Sequence, residues 1–152
     1  MDRPEKAKEY MATHYNCAQS IVKAFASETD IPENDIAHLA FPFGAGLGRQ
    51  GNVCGALSGA SMILGAKYGK IFQGKEAYRE KLYGLTQELL EQFKEKQGTI
   101  LCRELTHFDL SKPEELQRAR ETGVFTTKCP VFVQQAAEIL EELLRQEEQA
   151  NK

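Results

Sequence analysis

The sequence predicts an all-α protein, a compact bundle of about four main helices with short helices between them. Apolar residues recur at steps of three and four over most of the chain, which is the spacing of one face of an α-helix. Nowhere do apolar and polar residues alternate over a useful length, as they would in a half-buried strand. The chain of 152 residues is long enough to bury one core, so we expect a single domain over residues 1–152.

The first predicted helix runs from about Pro4 to Ser27. Proline suits the first position of a helix, and the apolar residues after it keep helical spacing as far as Phe25. This periodicity places Cys17 in the middle of the helix, on its apolar face. After a proline break, a short helix is predicted over Glu33–Leu39.

A glycine-rich loop, Phe43–Gly51, leads into the central helix. Asn52 is a good N-cap residue for this helix, and Gly69 stands where a glycine is expected after a helix C-terminus. The cap places Cys54 in the first turn. The central helix is therefore predicted to begin just after the loop and to end at Tyr68.

Two glycines, Gly55 and Gly59, lie one turn apart inside the central helix, with Ala56 and Ala60 beside them. An interior glycine costs about 1 kcal/mol of helix stability relative to alanine. Two such residues on one face indicate that another helix, or a bound group, approaches the backbone there. This small-residue face and the wide apolar stripe of the last helix are also compatible with a homodimer.

The C-terminal half of the chain is predicted to be helical as well. Apolar stripes, prolines at first helical positions and glycines after helix ends set the boundaries. The predicted elements are an amphipathic helix over Lys75–Gln97, a short helix over Thr99–Leu105 with Cys102 at its third position, a helix over Pro113–Glu121 that stops at Gly123, and a last helix that begins at Cys129-Pro130.

The charge balance excludes some partners. Lys and Arg number 19 and Asp and Glu number 22, which gives a net charge of −3 and no basic footprint for nucleic acid or an anionic membrane. No apolar run approaches the roughly 20 residues of a membrane span, and no apolar leader follows Met1. We therefore expect a cytoplasmic protein that binds no nucleic acid and does not insert into a membrane. In that compartment cysteines are more often catalytic, metal-binding or buried than paired in a permanent disulfide framework.

The four cysteines are the candidate catalytic or metal-binding residues. They are Cys17, Cys54, Cys102 and Cys129. The predicted elements place three of them at helix N-termini and only Cys17 within a helix. A helix N-terminus favours an anion by typically about 0.3 to 1 kcal/mol, and one pKa unit is about 1.4 kcal/mol, so helix starts are expected to lower thiol pKa values by up to roughly one unit. Neighbouring cations would lower them further, and the candidates in sequence are Arg49, Arg103 and Lys128.

The spacing of the cysteines limits the kind of site they can form. No two are arranged as Cys-x-x-Cys, which excludes a thioredoxin-type dithiol, a zinc ribbon and the close cysteine run of bacterial ferredoxins. If all four converge in the fold, they could hold an iron–sulfur cluster or a zinc ion. If they converge in pairs, they could alternate between dithiol and disulfide. We expect Cys17 and Cys54 to be the reactive pair, because the helix that carries Cys17 would face the small-residue side of the central helix, which carries Cys54 in its first turn.

The glycine loop also matches a phosphate-binding pattern. Gly46-Leu-Gly48-Arg-Gln-Gly51 fits G-x-G-x-x-G and opens a helix. That pattern requires a preceding strand, and Phe41-Pro42-Phe43 is too short and broken by proline, so nucleotide binding is disfavoured. An anion or a cofactor tail held by Arg49 and the loop amides remains open. The candidate cofactor-binding residues are Gly46, Gly48, Arg49, Gly51, Gly55 and Gly59.

The cysteine motifs resemble a known family. Cys54-Gly-Ala-x-x-Gly59 follows an Asn16-Cys17-Ala18-Gln19 segment and precedes Cys102 and Cys129. Together they resemble the C_GCAxxG_C_C family, small four-cysteine proteins described as redox-active. The resemblance covers the chain from about Tyr15 to Leu144. It implies a redox role for the four cysteines, but it supplies no reaction, substrate or redox partner.

Two hypotheses from different classes follow. The first is a redox protein whose four cysteines carry out electron transfer or thiol–disulfide exchange, either as thiols or as ligands of an iron–sulfur cluster. The second is a non-catalytic helical binding or structural module whose cysteines are buried or hold zinc. Free cysteines are among the most buried residues and often act as small hydrophobes. Thiol reactivity separates the two hypotheses.

Overall fold

The protein is described by a computed structural model, which places residues 1–71 and 76–151. Its helices are α1 (Arg3–Ala12), α2 (Cys17–Ala24), α3 (Glu33–Ala40), α4 (Gly55–Tyr68), α5 (Glu76–Gln97), α6 (Cys102–Thr106), α7 (Pro113–Thr122), α8 (Val124–Thr127) and α9 (Cys129–Ala150). The described residues form no β-strand, and one isolated antiparallel bridge joins Val53 to Leu101. The predicted all-α fold is confirmed.

The single first helix predicted over Pro4–Ser27 is wrong, because the chain breaks between α1 and α2. The cause is a capping box at Asn16: its side chain accepts a hydrogen bond from the Gln19 amide at 2.9 Å, and the Gln19 side chain accepts one from the Asn16 amide at 3.1 Å. This reciprocal arrangement satisfies two amides that a helix start leaves unpaired. Cys17 is therefore the first residue of α2 and does not lie in the middle of a helix.

The central helix and the short helix α6 both begin later than predicted. Asn52 lies outside α4, and Cys54 is its N-cap residue. The reason is the bridge between the segments that precede the two helices: the Cys54 amide donates to the Ile100 carbonyl at 2.8 Å and the Cys102 amide donates to the Asn52 carbonyl at 2.7 Å. Because this pairing keeps both segments extended, Cys102 becomes the first residue of α6 instead of its third.

Other boundaries agree with the prediction to within one residue. The short helix after the proline break is α3, α7 ends where Gly123 adopts the left-handed conformation at φ +77°, and α9 begins at Cys129. The predicted start of the long amphipathic helix at Lys75 lies outside the described residues. Its other end, Gln97, coincides with the end of α5.

The core is formed where α1 packs on α9 and α2 packs on α4, with α5 closing the bundle against α4 and α9. Its largest fully buried side chains include Phe25, Leu57, Phe93 and Leu140. A second, smaller apolar cluster lies under α6 to α8 and contains Cys102, Leu110, Ala119 and Val124. Among the helices described, none combines the length and the apolar character needed to cross a membrane.

Candidate functional site

The four cysteines are brought together by the fold. Each lies at the start of a helix, Cys54 as an N-cap residue and the other three as first helical residues. All four line one cavity of about 550 Å³. Cys54 and Cys102 are buried, with 7% and 6% of their surface exposed, whereas Cys17 and Cys129 are half-buried. All four are free thiols.

The two glycines of the central helix allow α2 and α4 to approach closely at Cys17. A Cβ atom on Gly55 would overlap the Cys17 sulfur and lie 2.8 Å from the Phe43 carbonyl oxygen. A Cβ on Gly59 would lie 2.7 Å from the carbonyl oxygen of Ala18, the next residue of α2. Real Cβ atoms are not found at such distances from other heavy atoms, so only glycine fits at either position. The small-residue face of α4 is thus covered by α2 of the same chain.

A left-handed turn forms the next wall of the cavity. Ala45, Gly46, Leu47, Gly48 and Arg49 all have φ between +55° and +72°. Each non-glycine residue in this conformation costs roughly 1–2 kcal/mol, and consecutive left-handed residues are rare. Backbone hydrogen bonds hold the turn at both ends, since the Gly48 amide donates to the Pro42 carbonyl at 2.8 Å and the Asn52 amide donates to the Gly46 carbonyl at 2.9 Å. Such strain is typically stored at functional sites.

The glycines of the loop serve this backbone geometry. A Cβ on Gly46 would lie 2.8 Å from the Cβ of Cys102, and one on Gly51 would lie 3.1 Å from the Cβ of Arg103. Gly48 meets nothing within 4 Å, so its contribution is its left-handed conformation. The segment before the loop is the 3₁₀ turn Phe41–Phe43 and not a strand. The context of a dinucleotide-binding fingerprint is therefore absent from this part of the described chain.

The bridge between Val53 and Leu101 positions Cys54 beside Cys102. Each cysteine directly follows a bridge residue in the chain. Arg103 adds side-chain hydrogen bonds at the same junction, because its guanidinium donates to the Gln50 carbonyl at 2.8 Å and, more weakly, to the Gly51 carbonyl at 3.3 Å. Two buried thiols are therefore held next to the left-handed turn by backbone contacts.

Cys17 has the most polar surroundings of the four sulfurs. Burial raises the pKa of the Cys17 thiol, and hydrogen bonding from backbone amides opposes this rise. These amides belong to Ala45 in the left-handed turn, to Ala18 and Cys17 itself at the start of α2, and to Gly55 at the start of α4. Amides of three chain segments thus favour the Cys17 thiolate, although burial outweighs them and the pKa stays above its ordinary value.

The other three thiols are raised in pKa by burial first and by the Cys17 charge second. For Cys54 the pKa lies well above its ordinary value, and for Cys102 and Cys129 burial raises the pKa to about 12. The prediction that helix starts lower the thiol pKa values is wrong, because desolvation outweighs the helix N-termini. Since the Cys17 charge acts on all three, an ionised Cys17 disfavours further ionisation in the cavity.

The comparison with protein families identifies the chain. A family model described as "Putative redox-active protein (C_GCAxxG_C_C)" matches residues 15–143. The chain belongs to the C_GCAxxG_C_C family. No curated protein and no solved structure matches it.

In this C_GCAxxG_C_C protein the flanking cations predicted from sequence have different surroundings. Arg49 lines the cavity, Arg103 is engaged with loop carbonyls, and Lys128 lies at a separate cavity beside α6 and α9. Sequence reasoning missed Arg120 of α7, which also lines the cysteine cavity. No spacing signal connects Arg120 to a cysteine, because its helix reaches the site only through tertiary packing.

The C_GCAxxG_C_C protein does not draw its thiols into a tight ligand set. Among residues 1–71 and 76–151, no group of three or more His, Cys, Asp or Glu side chains is placed so that it could hold a metal ion. Four cysteines facing one cavity therefore fit thiol chemistry better than a closed metal site, in which all ligands surround one ion.

Proposed function

We propose that the protein is a two-electron dithiol–disulfide redox protein in which Cys17 and Cys54 are the reacting pair. The observation that carries this proposal is the convergence of four free thiols on one cavity, with backbone amides from three segments directed at the Cys17 sulfur. Membership in a family described as redox-active supports the same chemistry. Cys17 is the nucleophile in this proposal because more backbone amides stabilise its thiolate than that of Cys54, which has only the Ala56 amide.

Cys54 is the proposed partner because it directly precedes Gly55, the residue that the Cys17 sulfur contacts. Burial is the largest cause of the raised pKa of Cys54, and the negative charge of an ionised Cys17 is the second largest. Forming the disulfide removes two electrons and two protons from the pair, and reduction returns them. Cys102 and Cys129 then complete the wall of the cavity as neutral thiols.

The test is a redox titration of the whole chain. The reduced protein is equilibrated in buffers of increasing oxidising strength, and the remaining thiols are counted and mapped by alkylation and peptide mass spectrometry. We expect reversible loss of two thiols per chain and a Cys17–Cys54 disulfide. Cys17→Ser and Cys54→Ser should each abolish the transition, whereas Cys129→Ser should preserve it. A titration that Cys17→Ser leaves unchanged contradicts the proposal.

A second candidate function is electron transfer through an iron–sulfur cluster bound by the four cysteines. The observation that favours it is that the cysteines come from four helix starts and share one cavity. The absence of a metal-binding group among the described residues counts against it. Anaerobic purification, with iron and zinc counted per chain and a visible absorption spectrum, decides between the dithiol function and the cluster. Stoichiometric iron with absorption bands supports the cluster. In a separate thiol-labelling experiment, four thiols that stay inert until the protein unfolds would support the non-catalytic structural module instead of either redox function.

A further inference from the structure

The path to the thiols restricts what can react with them. Cys54 and Cys102 are almost completely buried, Cys17 and Cys129 are half-buried, and all four thiols line the same cavity. Thiol–disulfide exchange requires direct attack of a thiolate sulfur on a disulfide sulfur. The cavity volume of about 550 Å³ is in the range of small-molecule binding sites. A small disulfide therefore fits the space beside the thiols.

The charge at the cavity restricts the reactant further. Its charged side chains are Arg49, from the left-handed turn, and Arg120, from α7, and no aspartate or glutamate in the described chain lines it. Acidic residues outnumber basic ones in the sequence, so a wall without carboxylates is a local property. Neither arginine forms an ion pair or a side-chain hydrogen bond with any described residue. Both are exposed, which places two free cations at the mouth.

The rest of the wall is mainly apolar. It includes Phe41, Leu110, Leu116, Phe125 and Phe132. Apolar walls with a few fixed polar groups are typical of sites for organic molecules, since the walls hold the carbon skeleton and the polar groups set its orientation. A ligand that matches this cavity has an organic body and negative charge at the end that faces the mouth.

We infer that the reactant is a low-molecular-weight organic disulfide with carboxylate groups, which Arg49 and Arg120 hold while the thiols react. This inference rests on the proposed dithiol function. The Cys17 thiolate attacks one sulfur of the bound disulfide, so that a mixed disulfide forms and one small thiolate leaves and takes up a proton. The Cys54 sulfur, on losing its proton, then attacks the Cys17 sulfur and releases the second small thiol. The protein gives two electrons and two protons to one disulfide, which becomes two thiols.

The test compares three small disulfides that differ in charge. The reduced full chain is mixed with dithiodipropionate, hydroxyethyl disulfide or cystamine, which are anionic, neutral and cationic, and formation of the Cys17–Cys54 disulfide is followed. Each rate is divided by the rate at which dithiothreitol reacts with the same compound, which removes differences in intrinsic reactivity. We expect the anionic disulfide to exceed the cationic one by at least about tenfold and insulin, a protein disulfide, not to react.

The arginine variants decide whether the cavity is responsible. Arg49→Gln and Arg120→Gln should each lower the anionic preference by about twofold to fivefold, the size expected for one solvent-accessible charge pair. Arg118→Gln is the matched control, because Arg118 lies on the same helix, is exposed and does not line the cavity. It should leave the preference unchanged.

The outcomes distinguish failure of the inference about the reactant from failure of the proposed dithiol function. Equal normalised rates for the three compounds, a preference that survives in the double arginine variant, or fast reaction with insulin would overturn the inference while the dithiol function stands. If none of the oxidants produces a Cys17–Cys54 disulfide, the proposed function fails and the inference fails with it. A charge preference lost only in the cavity variants supports both.

Discussion

Single atoms decide the geometry around Cys17. The sulfur occupies the space that a Cβ on Gly55 would need, and the amides that face it belong to a residue at the start of α4 and to residues in two other segments. Glycine at this position therefore does two things: it admits the sulfur and it leaves its own amide accessible to it. The helix-destabilising effect of glycine is offset by a contact that no other residue allows.

Gly55→Ala tests this contact. The added methyl must displace both the Cys17 sulfur and the Phe43 carbonyl oxygen, and overpacking of this kind costs typically about 1–3 kcal/mol. We expect the free energy of unfolding to fall by that amount in denaturant titrations and the alkylation rate of Cys17 to change. Gly65→Ala is the matched control in the same helix, since a Cβ there meets nothing within 4 Å.

The control should behave in the opposite way. Alanine at an open helical position stabilises a protein by up to about 1 kcal/mol relative to glycine. If Gly55→Ala proves as stable as Gly65→Ala, with unchanged reactivity of Cys17, the close approach of α2 and α4 does not exist as described.

At the scale of elements, helix caps determine where the thiols lie. The capping box at Asn16 starts a new helix after the short segment that follows α1, and it makes Cys17 the first residue of α2. The Asn16 side chain also donates to the Phe41 carbonyl at 2.9 Å, which joins the helix start to the segment before the left-handed turn. One side chain thus sets both the position of the thiol and the position of the loop that supplies the Ala45 amide.

Asn16→Ala should therefore affect both stability and thiol chemistry. Loss of an N-cap costs typically about 1 kcal/mol, and the position of Cys17 depends on this cap. Asp2→Ala removes an equivalent capping box from α1, where the Glu5 amide donates to Asp2 at 2.8 Å far from the cysteines in the sequence. Denaturant titration and the alkylation rate of Cys17, mapped by mass spectrometry, provide the two measurements.

Only the Asn16 variant should change the rate. Both variants are expected to lose similar stability, since both lose the same kind of cap. A Cys17 alkylation rate that is the same in Asn16→Ala, in Asp2→Ala and in the parent chain would contradict a positioning role for Asn16.

The sequence predicted elements better than it predicted their junctions. For α3, α7 and α9, hydrophobic periodicity predicts the helix, and the neighbouring prolines or glycines predict its boundaries. It failed at Asn16, where apolar spacing continues across a capping box that is visible in the sequence as Asn-x-x-Gln. It also failed at Cys102, because the bridge to Val53 pairs residues about 50 positions apart and such pairing leaves no local signal.

The site shows the same division. The four cysteines and Arg49 were identified from motif and spacing, and the fold places all of them on one cavity. Arg120 was not identified, since only tertiary packing brings α7 to the cavity. The direction of the thiol pKa values was also missed, because sequence gives the helix dipole but not the degree of burial that opposes it. Whether the four cysteines act catalytically stays a prediction.

At the scale of the whole molecule, packing within the chain covers the two helix faces that are compatible with a homodimer. The small-residue face of α4 is covered by α2, and the apolar stripe of α9 packs on α1 and α5. A homodimer stays a prediction, but both of these faces are used in packing within the chain. The same packing encloses the thiols, so that the stability of the folded chain is linked to their protonation.

This linkage predicts a loss of stability at alkaline pH. In the unfolded chain cysteines ionise near pH 8.5, whereas burial in the folded chain raises the pKa of Cys102 and Cys129 to about 12. Below about pH 8.5 both states keep the protons, so the stabilising effect is fully present. As the pH rises toward 12 the unfolded state releases protons that the folded state keeps, and the free energy of unfolding falls by about 1.4 kcal/mol for each unit of pKa difference.

Chemical unfolding of the reduced protein at about pH 8 and about pH 10.5 measures this fall, and a Cys102→Ala, Cys129→Ala double variant isolates the part due to the thiols. Tyrosine and lysine side chains also titrate in this range, but they do so equally in both proteins. The parent chain should therefore lose more stability than the double variant by well over 1 kcal/mol. An equal loss in both would mean that the two thiols are as hydrated in the folded chain as in the unfolded one, and a reactant could then reach them without passing through the cavity.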